Sequence, residues 1–208
     1  MNVQCIIFKN SALFPNNNMA KDLGILTKYN CLLLVIDVQE KFRKVIFNFN
    51  DMVNNISKMI RAFKILKVQI IVTEQYPKGL GHTIKEINNL LKNNGENNNN
   101  KIKKVEFSCF DSKSFANSLK KYKRKNIIVV GIEAHVCVLV TILDGIKNNY
   151  NMHIVVDGVS SRKKLDKEVA VGRAKQSNAF LTTTESVIFQ LLESSKDKEF
   201  KEISRLIK

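Results

Sequence analysis

The 208-residue chain has no apolar run approaching the roughly 18 residues that cross a bilayer as a helix, which excludes that mode of membrane insertion. Its four cysteines, Cys5, Cys31, Cys109 and Cys137, are scattered without a Cys-x-x-Cys pair. That spacing argues against a disulfide scaffold and for a reducing compartment. Arginine is scarce: only six of the 34 basic residues are Arg. Base and phosphate recognition favours arginine's planar fork, so the net charge of +15 is a weak argument for nucleic acid. No apolar segment follows a basic start, as in a secretory signal, and no arginine precedes Arg43, as a transit peptide would want. The expected location is cytoplasmic, with the mitochondrion as the alternative. There is no internal repeat and no linker between halves.

What is present is enough apolar residue, 44%, for one sizeable core. Lysine and 24 asparagines rise together, including Asn97 to Asn100 in one run, which reads as a composition bias. Residues 1–22 are polar and irregular and are expected to form a weakly ordered extension before a domain spanning 23–208. Residues 88–100 hold eight Asn and read as a surface insertion.

Continuous apolar runs at Cys31–Ile36, Val68–Thr73, Asn126–Ile132, Met152–Val156 and Ala179–Leu181 predict strands. Helical spacing predicts helices after an Asp51 cap, over 83–91, 115–122 and 165–176, and through Val136, Val140, Leu143 and Ile146. Thr182 with Glu185 reads as a capping box, and Asp197 as the start of a closing helix. Alternating strands and helices, with strands that are apolar throughout, imply an α/β fold around a parallel sheet covered on both faces.

Ligands of such sheets bind beyond the carboxyl ends of the strands. That selects Asp37, Glu74, the segment Glu133 to Cys137, and Asp157. Taken singly, each has a plain structural reading: Asp37 as a turn residue, Cys137 as a packing thiol, and Lys104 as part of a solvated lysine run. Taken together they can do chemistry. Cys137, in the first turn of a helix, is placed to be a thiolate nucleophile, Lys104 to lower its pKa, and Asp37 to move the proton. Two backbone N–H groups near the helix start can hold an oxyanion.

Asp37-Val38-Gln39-Glu40-Lys41-Phe42, Lys104-Val105-Glu106-Phe107-Ser108 and Gly131-Ile132-Glu133-Ala134-His135-Val136-Cys137-Val138 resemble the three signature blocks of the isochorismatase-like cysteine hydrolases. The segment Thr73 to Gly81, Asp157 with Ser160-Ser161-Arg162, Thr182 to Leu191, and Phe200 to Ile203 resemble the eukaryotic isochorismatase-domain proteins in particular.

The resemblance covers about residues 23–208. It implies a three-layer Rossmann-like fold with a six-stranded parallel sheet flanked by helices, and a triad carried onto Asp37, Lys104 and Cys137. It also implies a cis peptide before Glu133, whose N–H would share the oxyanion hole with that of Cys137. Gln39, Phe42, Glu74 and Phe107 fall at expected substrate-pocket positions. A homo-oligomer, a dimer or larger, is a further implication.

Departures from the family pattern narrow the function. Relatives that hydrolyse nicotinamide hold a metal with an Asp-x-His pair after the second strand and another His nearby. Here that stretch reads Glu74-Gln75-Tyr76, with His82 the one nearby histidine. Three protein ligands are wanted for a catalytic zinc, so neither metal nor cofactor is expected. True isochorismatases lack the nucleophilic cysteine. The expected function is metal-independent hydrolysis of a small amide-like molecule through a thioester. The alternatives are a nicotinamidase-like amidase, or a basic protein binding nucleic acid or another anionic partner beside a vestigial site. Residues 101–125, with nine Lys/Arg against two acids, carry the last of these.

Overall fold

The computed structural model describes residues 22–92 and 101–207. Residues 1–21 of the expected extension and residues 93–100 of the Asn-rich insertion lie outside them.

Six strands form one sheet: β1 (Cys31–Ile36), β2 (Gln69–Gln75), β3 (Lys101–Lys104), β4 (Asn126–Gly131), β5 (Asn151–Val159) and β6 (Phe180–Thr182). Their order is β3-β2-β1-β4-β5-β6, and every neighbouring pair is parallel. The chain therefore winds outward from β1 to one edge, returns, and winds outward from β4 to the other. The switch point lies between β1 and β4, where a parallel doubly wound sheet opens a crevice at its carboxyl edge. Both central strands are buried along their whole length, which is why they read as unbroken apolar runs.

Helices cover both faces. The helices are α1 (Phe49–Ile65), α2 (Pro77–Leu80), α3 (Lys85–Leu91), α4 (Lys113–Tyr122), α5 (Leu139–Lys147), α6 (Lys164–Gln176), α7 (Thr184–Leu192) and α8 (Phe200–Ile207). On one face α1 packs against α3, α7 and α8 around Leu33, Val35, Ile128 and Val130. On the other, α4, α5 and α6 pack over Leu32, Leu34, Ile127 and Val129. Successive strand residues point to opposite faces, so the same two strands feed both cores.

Several element boundaries differ from the sequence reading. The first long helix opens at Phe49 after Asn48, which sits in the left-handed region at φ 48°, and Asp51 falls inside the first turn. Thr183 caps α7, its hydroxyl accepting from the Ser186 amide at 3.3 Å, in place of Thr182. The closing helix begins at Phe200, after a turn in which the Phe200 amide donates to Asp197 O. Asn88 and Asn89, expected in the insertion, belong to α3. Strand β3 lies in the lysine run that reads as solvated surface. It is a four-residue edge strand, and one apolar residue, Ile102, is too little to mark it.

At the opposite, amino end of the sheet, His153 is buried, stacked on Phe180 with ring centroids 4.8 Å apart. Its Nε2 lies 3.1 Å from Asn126 Oδ1. Burial pushes the imidazole pKa down to about 4, against a small opposing pull from Asp22. Below its unfolded value near 6.5 the unfolded chain takes up a proton that the folded chain refuses, so stability falls as pH drops towards 4. The full loss is about 3 kcal/mol. Urea midpoints should therefore decline between pH 6.5 and 4, and more shallowly in His153→Phe. Parallel declines in the two proteins would remove His153 as the cause.

Among the described residues no helix is long and apolar enough to cross a membrane.

Candidate active site

Three strand ends converge at the carboxyl edge. Asp37 follows β1, Lys104 ends β3, and Cys137 lies in a single π-helical turn, Ala134–Val138, between β4 and α5. Asp37 and Cys137 thus stand on either side of the switch point. Asp37 takes φ 53°, a left-handed conformation that aspartate tolerates better than most residues. Its amide donates to Thr73 O, 3.2 Å away, which fixes the turn.

Gly131 is needed where β4 ends. It has φ 117°, and an added Cβ would run into the backbone of Ile36, its partner in the sheet. That close approach brings the segment leading to Cys137 alongside the end of β1. The peptide bond between Ile132 and Glu133 is cis. The Ala134 amide then donates to Ser160 O at 2.8 Å, tying the turn to the end of β5. The Glu133 amide donates to no backbone carbonyl among the described residues.

Lys104 reaches Asp37 across the end of β2. Strands are about 4.8 Å apart, so the contact spans two strand spacings and uses the whole four-carbon stem of lysine. Its Nζ donates to Asp37 Oδ2 at 2.7 Å and to Gln75 Oε1 at 2.7 Å. The carbonyls of Glu106 and Phe107 lie at 3.2 and 3.3 Å. The Lys104 side chain is 0% exposed and Asp37 is 1% exposed. Thr73 donates its hydroxyl to the other Asp37 oxygen at 2.7 Å. Both carboxylate oxygens are therefore held.

Thr73 and Gln75 are two apart on β2 and so share a face. They bind the carboxylate and the ammonium respectively, and neither stood out in the sequence. Strand periodicity was the available signal: with Glu74 at a strand end, its neighbours must face the other way.

The electrostatics invert one expectation. Burial, together with the negative charge of the Asp37 carboxylate, pushes the Cys137 pKa well above its ordinary range, and Lys104 only partly opposes this. The resting form is a thiol, not the expected thiolate. The ammonium's charge is already matched by Asp37 at 2.7 Å, so little of it reaches the sulfur. For Lys104 itself burial acts downward, but Asp37 and the two nearby cysteines outweigh it and hold the ammonium above its usual range. Cys109 is fully buried and pushed up to about 12 by that burial. Its amide donates to Thr141 Oγ1 at 3.0 Å, one turn after Cys137.

The four expected pocket residues have different surroundings. The Gln39 amide nitrogen donates to Gln75 O at 3.0 Å and Gly81 O at 2.6 Å, and its oxygen accepts from the Gln75 amide at 2.7 Å. Gln39 thereby clamps the end of β2 and has no free N–H to offer. Glu74 Oε1 accepts from the amide and hydroxyl of Thr83 at 2.8 and 2.7 Å, and Oε2 lies 3.1 Å from His82 Nδ1. Phe42 is half-buried against the α1 face, while Phe107 is 60% exposed beside the Lys104 carbonyl contacts. Asp157, the remaining strand-end acid, accepts from the amide and hydroxyl of Thr184 and anchors the start of α7. A nicotinamidase-type metal does not fit here. Both Glu74 oxygens are engaged, and among the described residues no three His, Cys, Asp or Glu side chains cluster.

Residues 31–186 match the family model described as the isochorismatase domain. A curated relative, isochorismatase family protein 1A of Dictyostelium discoideum, is 45% identical over 185 residues, covering 88% of each chain. Isochorismatase domain-containing protein 2 of Danio rerio is 39% identical over 186 residues, covering 89% of this chain and 90% of the relative. A solved structure from Caenorhabditis elegans, described as MAR1 ribonuclease, superposes with a TM-score of 0.80 at 41% identity, covering 88% of this chain and 91% of that one. With the model spanning most of the chain and relatives matched nearly end to end, this protein belongs to the isochorismatase domain family and has an isochorismatase-family hydrolase fold.

Proposed function

We propose that the protein is a cysteine hydrolase of small amide-like substrates, with Asp37, Lys104 and Cys137 as its triad. The observation that carries this reading is a buried carboxylate–ammonium pair at the carboxyl edge of the sheet, where the turn holding Cys137 also lies. Asp37 takes the Lys104 ammonium at 2.7 Å, and its negative charge acts on the Cys137 thiol, whose pKa it helps to raise.

The resting thiol suits a coupled transfer. As Sγ attacks the substrate carbonyl carbon, its proton passes to Asp37. The carbonyl oxygen becomes an oxyanion facing the Glu133 and Cys137 amides. The C–N bond then breaks, and Asp37 returns the proton to the departing nitrogen, leaving an amine and a Cys137 thioester. Asp37 next takes a proton from water. The hydroxide attacks the thioester carbonyl, the carboxylic acid leaves, and the thiol is restored. Lys104 stays protonated throughout and keeps Asp37 ionised between transfers. Phe42 and Phe107 would flank the substrate, while Gln39 and Glu74 stiffen the pocket wall from behind.

A second reading takes RNA as substrate. The ribonuclease description of the C. elegans relative favours it, as do the exposed Lys120 and Lys121 in α4 and Lys123 and Lys125 just after it. One experiment separates the two. A panel of small amides, with an RNA oligonucleotide included, is incubated with the protein and the quenched chain weighed by mass spectrometry. An acyl adduct on the peptide carrying Cys137, formed with an amide, is the expected result. Turnover of RNA with no adduct on Cys137 would transfer the proposal to the second reading.

A further inference from the structure

Glu133 is more than a donor of one amide. Its side chain is buried, and a single carboxylate oxygen, Oε2, accepts from both the backbone amide of Arg162 at 3.1 Å and its Nε at 3.0 Å. Arg162 leaves the end of β5 directly after Ser160 and Ser161. That segment is laced to the Cys137 turn: Ser160 N donates to Gly131 O at 3.3 Å, Ala134 N donates to Ser160 O at 2.8 Å, and Ser161 Oγ lies 3.0 Å from His135 Nδ1. The guanidinium is thus fastened at Nε beside the residue whose amide faces the substrate oxygen. Its two terminal nitrogens have no partner among the described residues, and its side chain is 61% exposed. Lys163 and Lys164 follow, both exposed, where α6 opens without a side-chain cap. The opposing charges are Glu133 itself, Asp166 in the first turn of α6, and Glu168, which sits 3.6 Å from Lys164.

We infer that Arg162 selects anionic substrates, binding a carboxylate or comparable oxyanion carried on the amide while its carbonyl lies at Cys137. This deepens the triad reading and rests on it. An arginine held at Nε presents its two terminal N–H₂ groups as a fixed fork, the geometry that a carboxylate accepts in two parallel bonds. Because Glu133 already orders the side chain, a ligand does not have to immobilise it. Lys104, the other nearby cation, is fully buried and matched by Asp37, so it cannot serve this purpose. Lys163 and Lys164 add a diffuse positive field at the same rim.

The probe pair is iodoacetate and iodoacetamide, which differ in charge and little in size. Both alkylate thiols, with the sulfur displacing iodide, and mass spectrometry of the Cys137 peptide reads each rate in the full-length chain. Arg162→Gln should lower the iodoacetate rate about tenfold more than the iodoacetamide rate. Arg162→Lys, which keeps the charge and loses the fork, should recover part of the ratio. The neutral reagent reports any general disturbance of the site, so a variant that merely loosens Glu133 shifts both rates together. A reactive Cys137 whose rate ratio is the same in wild type and Arg162→Gln overturns the Arg162 assignment alone. A Cys137 inert to both reagents overturns the triad reading and this inference with it.

Discussion

Replacing Cys137 by alanine is expected to lower kcat on any amide the protein hydrolyses by about 10⁴-fold or more while leaving the fold intact. The size of the effect follows from the chemistry. Sγ forms the bond that divides amide cleavage into two easier steps, and no neighbour can replace it. Cys109 is fully buried, with its thiol pushed up to about 12, and is not offered to a substrate. The structural cost is small by comparison. The substitution removes one buried sulfur atom and leaves Asp37 with both Lys104 and Thr73. A truncation of that size costs about 1 kcal/mol, which thermal unfolding reads directly. Turnover within tenfold of wild type, in a variant shown by mass to lack the cysteine, would falsify the nucleophile assignment.

Lys104→Ala should be the opposite kind of variant, damaging stability as well as activity. The ammonium is the counter-charge of a carboxylate that is 1% exposed. Without it the Asp37 carboxylate keeps only the Thr73 hydroxyl, and must either stay charged and unpaired or take up a proton. Breaking a buried pair from one side costs about 3–5 kcal/mol. Asp37→Asn combined with Lys104→Met should recover part of that loss, since no charge is then stranded. Urea unfolding of the wild type, Asp37→Asn, Lys104→Met and the double variant gives the cycle, and a double variant as unstable as the sum of those two singles would refute the pairing argument.

The pH dependence carries a sign of its own. The folded pKa of Lys104 is raised above its ordinary 10.5, so the pair's contribution is complete below that pH and is lost as pH climbs through the raised value. Lys104→Ala should remove that alkaline decline.

Much of the architecture is legible in the sequence because it depends on local pattern. β1 and β4 are buried on both faces, so an unbroken apolar run marks their limits to within a residue. β3 is not legible from pattern, because an edge strand of four residues with three lysines shows neither a run nor a clean alternation. Yet it is the strand that delivers Lys104. Its existence follows only through the resemblance to a six-stranded family. The start of α1 escapes the pattern because Asn48 enters the helix from a left-handed conformation, so Asp51 falls inside the first turn.

By itself, then, the sequence determined the α/β class, the family and the short set of strand-end residues where chemistry could occur, since these follow from hydrophobic periodicity and motif order. Only the tertiary structure decided how those residues act. Asp37 and Lys104 are 67 residues apart in the chain and meet because the winding order sets β1 and β3 on either side of β2. Thr73 and Gln75 join them because the pleat turns both toward the same face. The protonation of Cys137 is also a tertiary property. Helix position and a lysine nearby in the motif pattern pointed to a thiolate. Desolvation and the carboxylate at its side, which exist only once the core has closed, keep the proton on sulfur.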